Sequence, residues 1–234
     1  MQSFPAGFRA LVLGASGAIG GALARRLEAD PRCAGVTRLG RGSVPAVDFG
    51  VEASIAAAAA ALKDRGPFHL IVNAAGLLHT DGFMPEKRLG QLSYAQMEAT
   101  FRVNAFGPAL VLAHFAPLLD RERGVLAVLS AKVGSIGDNR LGGWYGYRAA
   151  KAALNQLIRT LAIEERRRND RSIVVGLHPG TVDTALSKPF QSNVRPGTLF
   201  TADRAAMQLL DVIDGLKMPD SGKLFDHEGV EITP

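Results

Sequence analysis

Tyr147 and Lys151 stand four residues apart in Trp144-Tyr145-Gly146-Tyr147-Arg148-Ala149-Ala150-Lys151-Ala152-Ala153-Leu154-Asn155, a stretch rich in helix formers that follows Gly142-Gly143. On a helix that spacing sends both side chains off one face, one turn apart. A free phenol titrates near about 10, too high for acid–base work near neutrality. A neighbouring ammonium favours the phenolate and lowers that value. The pair is therefore suited to exchanging a proton with a substrate oxygen. The competing reading is a helix that carries one Tyr and one Lys by coincidence, so the elements upstream must decide.

The first of these is an apolar run, Phe8 to Leu13, leading into Gly14-Ala15-Ser16-Gly17-Ala18-Ile19-Gly20-Gly21 and a helix through Leu27. A strand, a glycine loop and a helix in that order let backbone N–H groups approach a phosphate. A second strand is expected at Gly35 to Arg38. An acid after it would take the ribose hydroxyls of NAD, whereas an Arg accommodates the 2′-phosphate of NADP. The chain has Arg38 and Arg41 there and no nearby acid, and Ser16 could add a hydroxyl. NADP(H) is thus preferred over NAD(H), against the alternative of two exposed loop arginines. Asp48 and Phe49 follow a short apolar stretch, Val44 to Val47, and Ser54 to Leu62 reads as an alanine-rich helix.

Further strands are expected at Phe68 to Val72 (counted as the fourth, ending Asn73-Ala74-Ala75-Gly76), at Gly124 to Leu129, at Ile173 to Leu177 and at Lys223 to Phe225. Leu77 to Gly90 reads as a surface loop with little readable chemistry. Helices are expected from Tyr94, with Asn104 near a kink at Gly107-Pro108, and over Ala202 to Leu216. His79 and His114 have no partners at metal-ligand spacing, and no metal is expected.

The 234 residues suit one α/β domain, residues 1–234, and the composition is that of a soluble globular protein. No apolar run is long and clean enough to cross a bilayer, and the first residues do not form a signal peptide. One cysteine, Cys33, agrees with a cytoplasmic location. The net charge of +5 comes from scattered residues. The one basic run, Arg166-Arg167-Arg168, falls where a helix should end and complements its dipole. Nucleic acid is not an expected partner.

Taken together, the loop at Gly14–Gly20, the Asn73-Ala74-Ala75-Gly76 strand end, Asn104 and the Tyr147/Lys151 helix resemble the short-chain dehydrogenase/reductase superfamily. The segment from Gly134 to Gln156 and His178-Pro179-Gly180-Thr181-Val182-Asp183-Thr184 are similar to its C-factor subgroup, named for a protein implicated in cell–cell signalling. The resemblance runs from Leu11 to Phe225, with Ala18 replacing a loop glycine and Ala74 an asparagine. It implies one doubly wound Rossmann-type domain with a mostly parallel sheet of about seven strands. It implies cofactor contacts from Gly14, Ser16, Ile19, Gly20, Arg38, Asp48, Phe49, Asn73, Ala74, Gly76, Tyr147, Lys151, Pro179, Gly180, Val182 and Thr184. Catalysis would fall to Asn104, Ser130, Tyr147 and Lys151, with a small carbonyl or alcohol as substrate, in a homodimer or homotetramer.

One position departs from the pattern. The family's substrate-binding serine aligns with Ala131. Ser130, one residue earlier, should face the other way on an extended backbone unless a bulge re-aims it; Ser135 is a further candidate. Two function classes follow: an NADP(H)-dependent oxidoreductase, and a cofactor-binding signalling protein with weak or lost catalysis.

Overall fold

The computed structural model describes residues 1–234, apart from the side chain of residue 193. In chain order the elements are β1 (Phe8–Leu13), α1 (Ala18–Glu28), β2 (Cys33–Leu39), α2 (Glu52–Ala61), β3 (Leu70–Asn73), α3 (Tyr94–Phe101), α4 (Gly107–Phe115), β4 (Gly124–Leu129), α5 (Tyr145–Arg168), β5 (Ser172–His178), β6 (Thr181–Val182), β7 (Leu199–Phe200), α6 (Ala202–Gly215) and β8 (Leu224–Asp226).

Six strands form one sheet in the order β2-β1-β3-β4-β5-β8, and each neighbouring pair is parallel. A parallel sheet needs both faces covered, and the strand sequences show how. On β1, Phe8, Ala10 and Val12 pack with α1 and α6, while Leu11 and Leu13 pack with α2, α4 and α5. The alternation repeats on β4, where Val125, Ala127 and Leu129 join the first layer and Leu126 and Val128 the second. The strand order reverses between β1 and β3, which opens a crevice at the C-terminal ends of those strands.

The expected doubly wound fold is present, and the number of strands is close to that expected. Phe68–Val72, counted as the fourth strand, contains the third, β3, and the apolar stretch Val44–Val47 before it carries no strand. Pro45 has no N–H to give a ladder. The Ser43 hydroxyl lies against the carbonyls of Gly40 and Pro45, and the Val47 N–H closes back on the Gly40 carbonyl at 2.9 Å. Two short parallel strands not foreseen, β6 and β7, pair separately and tie the base of the segment between them. No helix among the described residues is long and apolar enough to cross a membrane.

Candidate active site

Three consecutive residues in the left-handed region introduce α5: Gly142 and Gly143 at φ 64° and Trp144 at φ 53°. Glycine adopts this conformation freely, but for Trp it costs about 1–2 kcal/mol. Contacts hold it there. The indole packs edge-on against Tyr147 (centroids 6.2 Å apart) and Phe190 (4.9 Å). Trp144 is also the N-cap and has no side-chain oxygen to offer the first turn. Glu86 supplies it. Its Oε2 accepts from the Gly146 N–H at 3.1 Å, its carbonyl accepts from the Trp144 N–H, and the residue is 2% exposed. Glu86 lies in the loop read as having little readable chemistry; the sequence signal was a long helix with no Ser, Thr, Asp or Asn just before it.

Tyr147 and Lys151 share the buried face of α5, with Lys151 only 2% exposed. The Lys151 Nζ lies 5.8 Å from the Tyr147 ring centroid and donates to the Leu129 carbonyl at 2.9 Å. Burial pushes the phenol up to about 12 and the ammonium down to about 7. Both groups are thus driven towards their neutral forms, so Tyr147 holds its proton at neutral pH. A positive charge on Lys151 would favour the phenolate.

Asn104 sits in a π-helical turn, Arg102–Phe106, between α3 and α4, an arrangement common at functional sites. Its amide grips Leu77 from both sides, donating to the carbonyl at 2.6 Å and accepting from the N–H at 3.1 Å, and also donates to the Thr100 carbonyl. Asn104 thereby fixes the strand of chain that follows Gly76.

At the crevice, a groove of about 330 Å³ is lined by Gly14, Ser16, Arg41, Asp48, Phe49, Ala74 and Gly76 among others. The glycines are there for closeness. A Cβ on Gly20 would lie 2.3 Å from the Gly14 carbonyl oxygen, and one on Gly14 (φ 76°) 2.9 Å from the Ala75 nitrogen. Gly17 caps α1 without a side-chain bond, which leaves the helix's first N–H groups open towards the groove. Ala18 is the first residue of that helix, and the turn closes through Gly17 N–H to the Gly14 carbonyl at 3.0 Å. Asn73 is fully buried at the end of β3 and accepts from Ala75 N–H at 3.1 Å. These features fit a dinucleotide phosphate.

Arg38 and Ile19 are not on the groove wall. Arg38 lies within β2, and its guanidinium forms a two-point pair with Glu28 at 2.6 and 2.8 Å. That partner raises the Arg38 pKa through its hydrogen bond and charge, and lowers that of Glu28. The cation on the wall is Arg41, near Ser16. Ile19 packs against the core on the α1 side of the sheet.

Beyond the groove, Gly180 (φ 76°) rests on Phe200, where a Cβ would be 2.7 Å from the ring. Val182 pairs with Phe200 through β6 and β7, and Thr184 caps the turn to Ser187. His178, beside Pro179, is pushed down to about 4 by burial and by His227. Leu78, Ala131 and Tyr147 form an apolar cluster that Trp144, Leu186 and Phe190 extend. Leu186 reaches to Gly76, so the cluster meets the groove there.

Ser130 has a partner of its own. Its hydroxyl donates to Asn155 Oδ1 of α5 at 2.6 Å. The strand end keeps its alternation, so Ala131 presents its methyl to Tyr147 and Ser130 turns away. Ser135 is also engaged elsewhere, donating to the Thr233 carbonyl.

Comparison with known proteins agrees with this geometry. The family model for short chain dehydrogenase matches residues 9–195. C-signal of Myxococcus xanthus is 35% identical over 170 residues, covering 71% of this chain and 93% of that one. The 1-hydroxy-2-glutathionyl-2-methyl-3-butene dehydrogenase of Rhodococcus sp. (strain AD45) is 32% identical over 235 residues, covering 94% and 96%. The NADPH-bound carbonyl reductase from chicken fatty liver superposes with a TM-score of 0.85 at 23% identity, covering 99% and 96%. A phosphate-ready crevice, a buried Tyr/Lys pair and the match to four-fifths of its length place the chain in the short chain dehydrogenase family.

Proposed function

We propose that the chain is an NADP(H)-dependent oxidoreductase acting on a small carbonyl or alcohol. The observation that carries this reading is the buried pair of Tyr147 and Lys151 beside a groove with Arg41 and Ser16 on its wall. NADPH, when bound, would supply the hydride. The chain's residues do the rest. The open N-terminus of α1 and the Gly14–Gly20 loop hold the pyrophosphate, and Arg41 and Ser16 hold the 2′-phosphate. Asp48 and Phe49 flank the adenine side, with Ala74 and Gly76 lining the groove and Asn73 buried behind them. Pro179, Gly180, Val182 and Thr184 border the nicotinamide end.

Tyr147 keeps its proton in the dry site and gives it to the carbonyl oxygen as charge develops there. Lys151, when protonated, stabilises the phenolate that remains, and the phenolate regains its proton from solvent as the alcohol leaves. Asn104 orients the backbone at Leu77. The apolar surroundings of Tyr147 (Leu78, Ala131, Trp144, Leu186 and Phe190) exclude water and favour an apolar group next to the carbonyl. The short-chain dehydrogenase/reductase of Burkholderia multivorans with bound NADP and the NADPH-bound carbonyl reductase from chicken fatty liver share this fold, which supports the choice of cofactor.

A second reading is a cofactor-binding signalling protein with little chemistry. The methyl of Ala131, where a hydroxyl could steady the substrate oxygen, favours it. Both readings require NADP(H) binding. Turnover of a panel of aldehydes and ketones separates them: oxidation of NADPH by wild type supports the enzyme, and binding without turnover supports the alternative. We further infer a homo-oligomer in a reducing cytoplasm, which sedimentation analysis and cell fractionation test.

A further inference from the structure

We propose that Ser130 and Asn155 are positioning residues: their hydrogen bond seats α5 on the end of β4 and so sets where Tyr147 and Lys151 stand. Two consecutive residues of one element meet two residues one turn apart on the other. The Leu129 carbonyl accepts from Lys151 Nζ at 2.9 Å, and the Ser130 hydroxyl donates to Asn155 Oδ1 at 2.6 Å. With a single rung α5 could turn about it; the second rung removes that freedom. The turn after Ser130 adds a stop. A Cβ on Gly134 would lie 2.8 Å from the Lys151 backbone and Cβ, so the helix sits in direct contact with that turn.

The environment strengthens the bond. Ser130 and Asn155 are 4% and 8% exposed, and a hydrogen bond shielded from water holds its geometry more firmly. Among the described residues Asn155 Nδ2 has no partner, so the bond to Ser130 is the one that orients this buried amide. A leucine at 155 would remove the orphaned Nδ2 but leave the buried Ser130 hydroxyl without its acceptor. What Asn155 adds is direction. The proposal rests on the reading of Tyr147 and Lys151 as the reacting pair, and it gives Ser130 a role at a distance from the substrate.

The test uses Ser130→Ala, Asn155→Ala, the double variant and Ser130→Thr, which retains the hydroxyl. A core variant far from the site, Ile213→Ala, controls for lost stability. With ring-labelled tyrosine, Tyr147 is one of three resonances and can be titrated by NMR without turnover. The expected result is a Tyr147 midpoint lowered by roughly half a unit or more in both single variants, as water reaches a loosened site. The double variant should match the singles, Ser130→Thr should match wild type, and Ile213→Ala should leave the midpoint in place. Where a carbonyl substrate is turned over, kcat should fall about five- to twentyfold with KM within twofold, because a small misplacement acts on the reacting geometry.

A Tyr147 titration unchanged in both singles overturns the proposal. So does a large rise in KM for Ser130→Ala with Asn155→Ala behaving as wild type, which would place Ser130 on the substrate. A wild type that binds NADPH but reduces no carbonyl would count against the enzyme reading alone, since the NMR titration still decides the positioning role.

Discussion

Lys151 Nζ lies 5.8 Å from the Tyr147 ring centroid and is bonded to the Leu129 carbonyl, so the cation that serves the phenol is anchored to the sheet rather than to its own helix. The phenol and the ammonium are both buried, and burial moves their pKa values in opposite directions, to about 12 and about 7.

The shift of Lys151 has a consequence for stability. An amine whose folded pKa is depressed disfavours folding below that value, and the penalty fades as pH rises from about 7 towards the unfolded value of about 10.4. Replacing Lys151 with Met should therefore stabilise the protein most at pH 6, by about 2–4 kcal/mol, and progressively less towards pH 10. Urea denaturation of both proteins across that range checks the sign. A difference that grows with pH would contradict it.

Arg41, not Arg38, should discriminate the two coenzymes. Charge-assisted hydrogen bonds to a phosphate contribute about 1.5–3 kcal/mol, so Arg41→Ala should weaken NADPH about tenfold or more and leave NADH nearly unchanged. Arg38→Ala removes a half-exposed pair with Glu28 and should alter neither affinity by more than about twofold. Nicotinamide fluorescence titrations measure both.

Ala131→Ser would put a hydroxyl on the face that meets Tyr147. An added donor to the substrate oxygen should raise kcat by about tenfold or more, with the melting temperature little changed. Steady-state kinetics on wild type and variant test it, and an inert variant would show that the oxygen does not lie on that side.

Glu86→Ala should lower stability by about 1–2 kcal/mol, since it leaves the first turn of α5 without its acceptor. The loss should appear in denaturant midpoints and in faster amide exchange at Gly146. Exchange at Gly146 unchanged from wild type would mean that the turn is held by other contacts.

Much of this was legible from residue order. The six main strands, the glycine loop and the helix bearing Tyr147 and Lys151 stand where apolar runs and glycines indicate. The side on which Ser130 falls was also implicit, since consecutive residues of a strand face opposite ways. Other features lay beyond local patterns. Arg38 lies inside β2 and is held by Glu28 of α1, whereas Arg41 follows the strand and lines the groove, a difference set by a partner ten residues away rather than by residue type. Glu86 caps a helix 60 residues away along the chain, and no window of sequence contains both partners. Val44–Val47 is apolar enough for a strand, but Pro45 and the hydroxyl of Ser43 fold it into a turn.

The most direct test of the central claim is NADPH consumption with a panel of aldehydes and ketones, measured for wild type and Tyr147→Phe at equal NADPH occupancy. The account predicts turnover in wild type and a loss of about a hundredfold or more in the variant, with NADPH affinity preserved. Equal rates in the two proteins would contradict it.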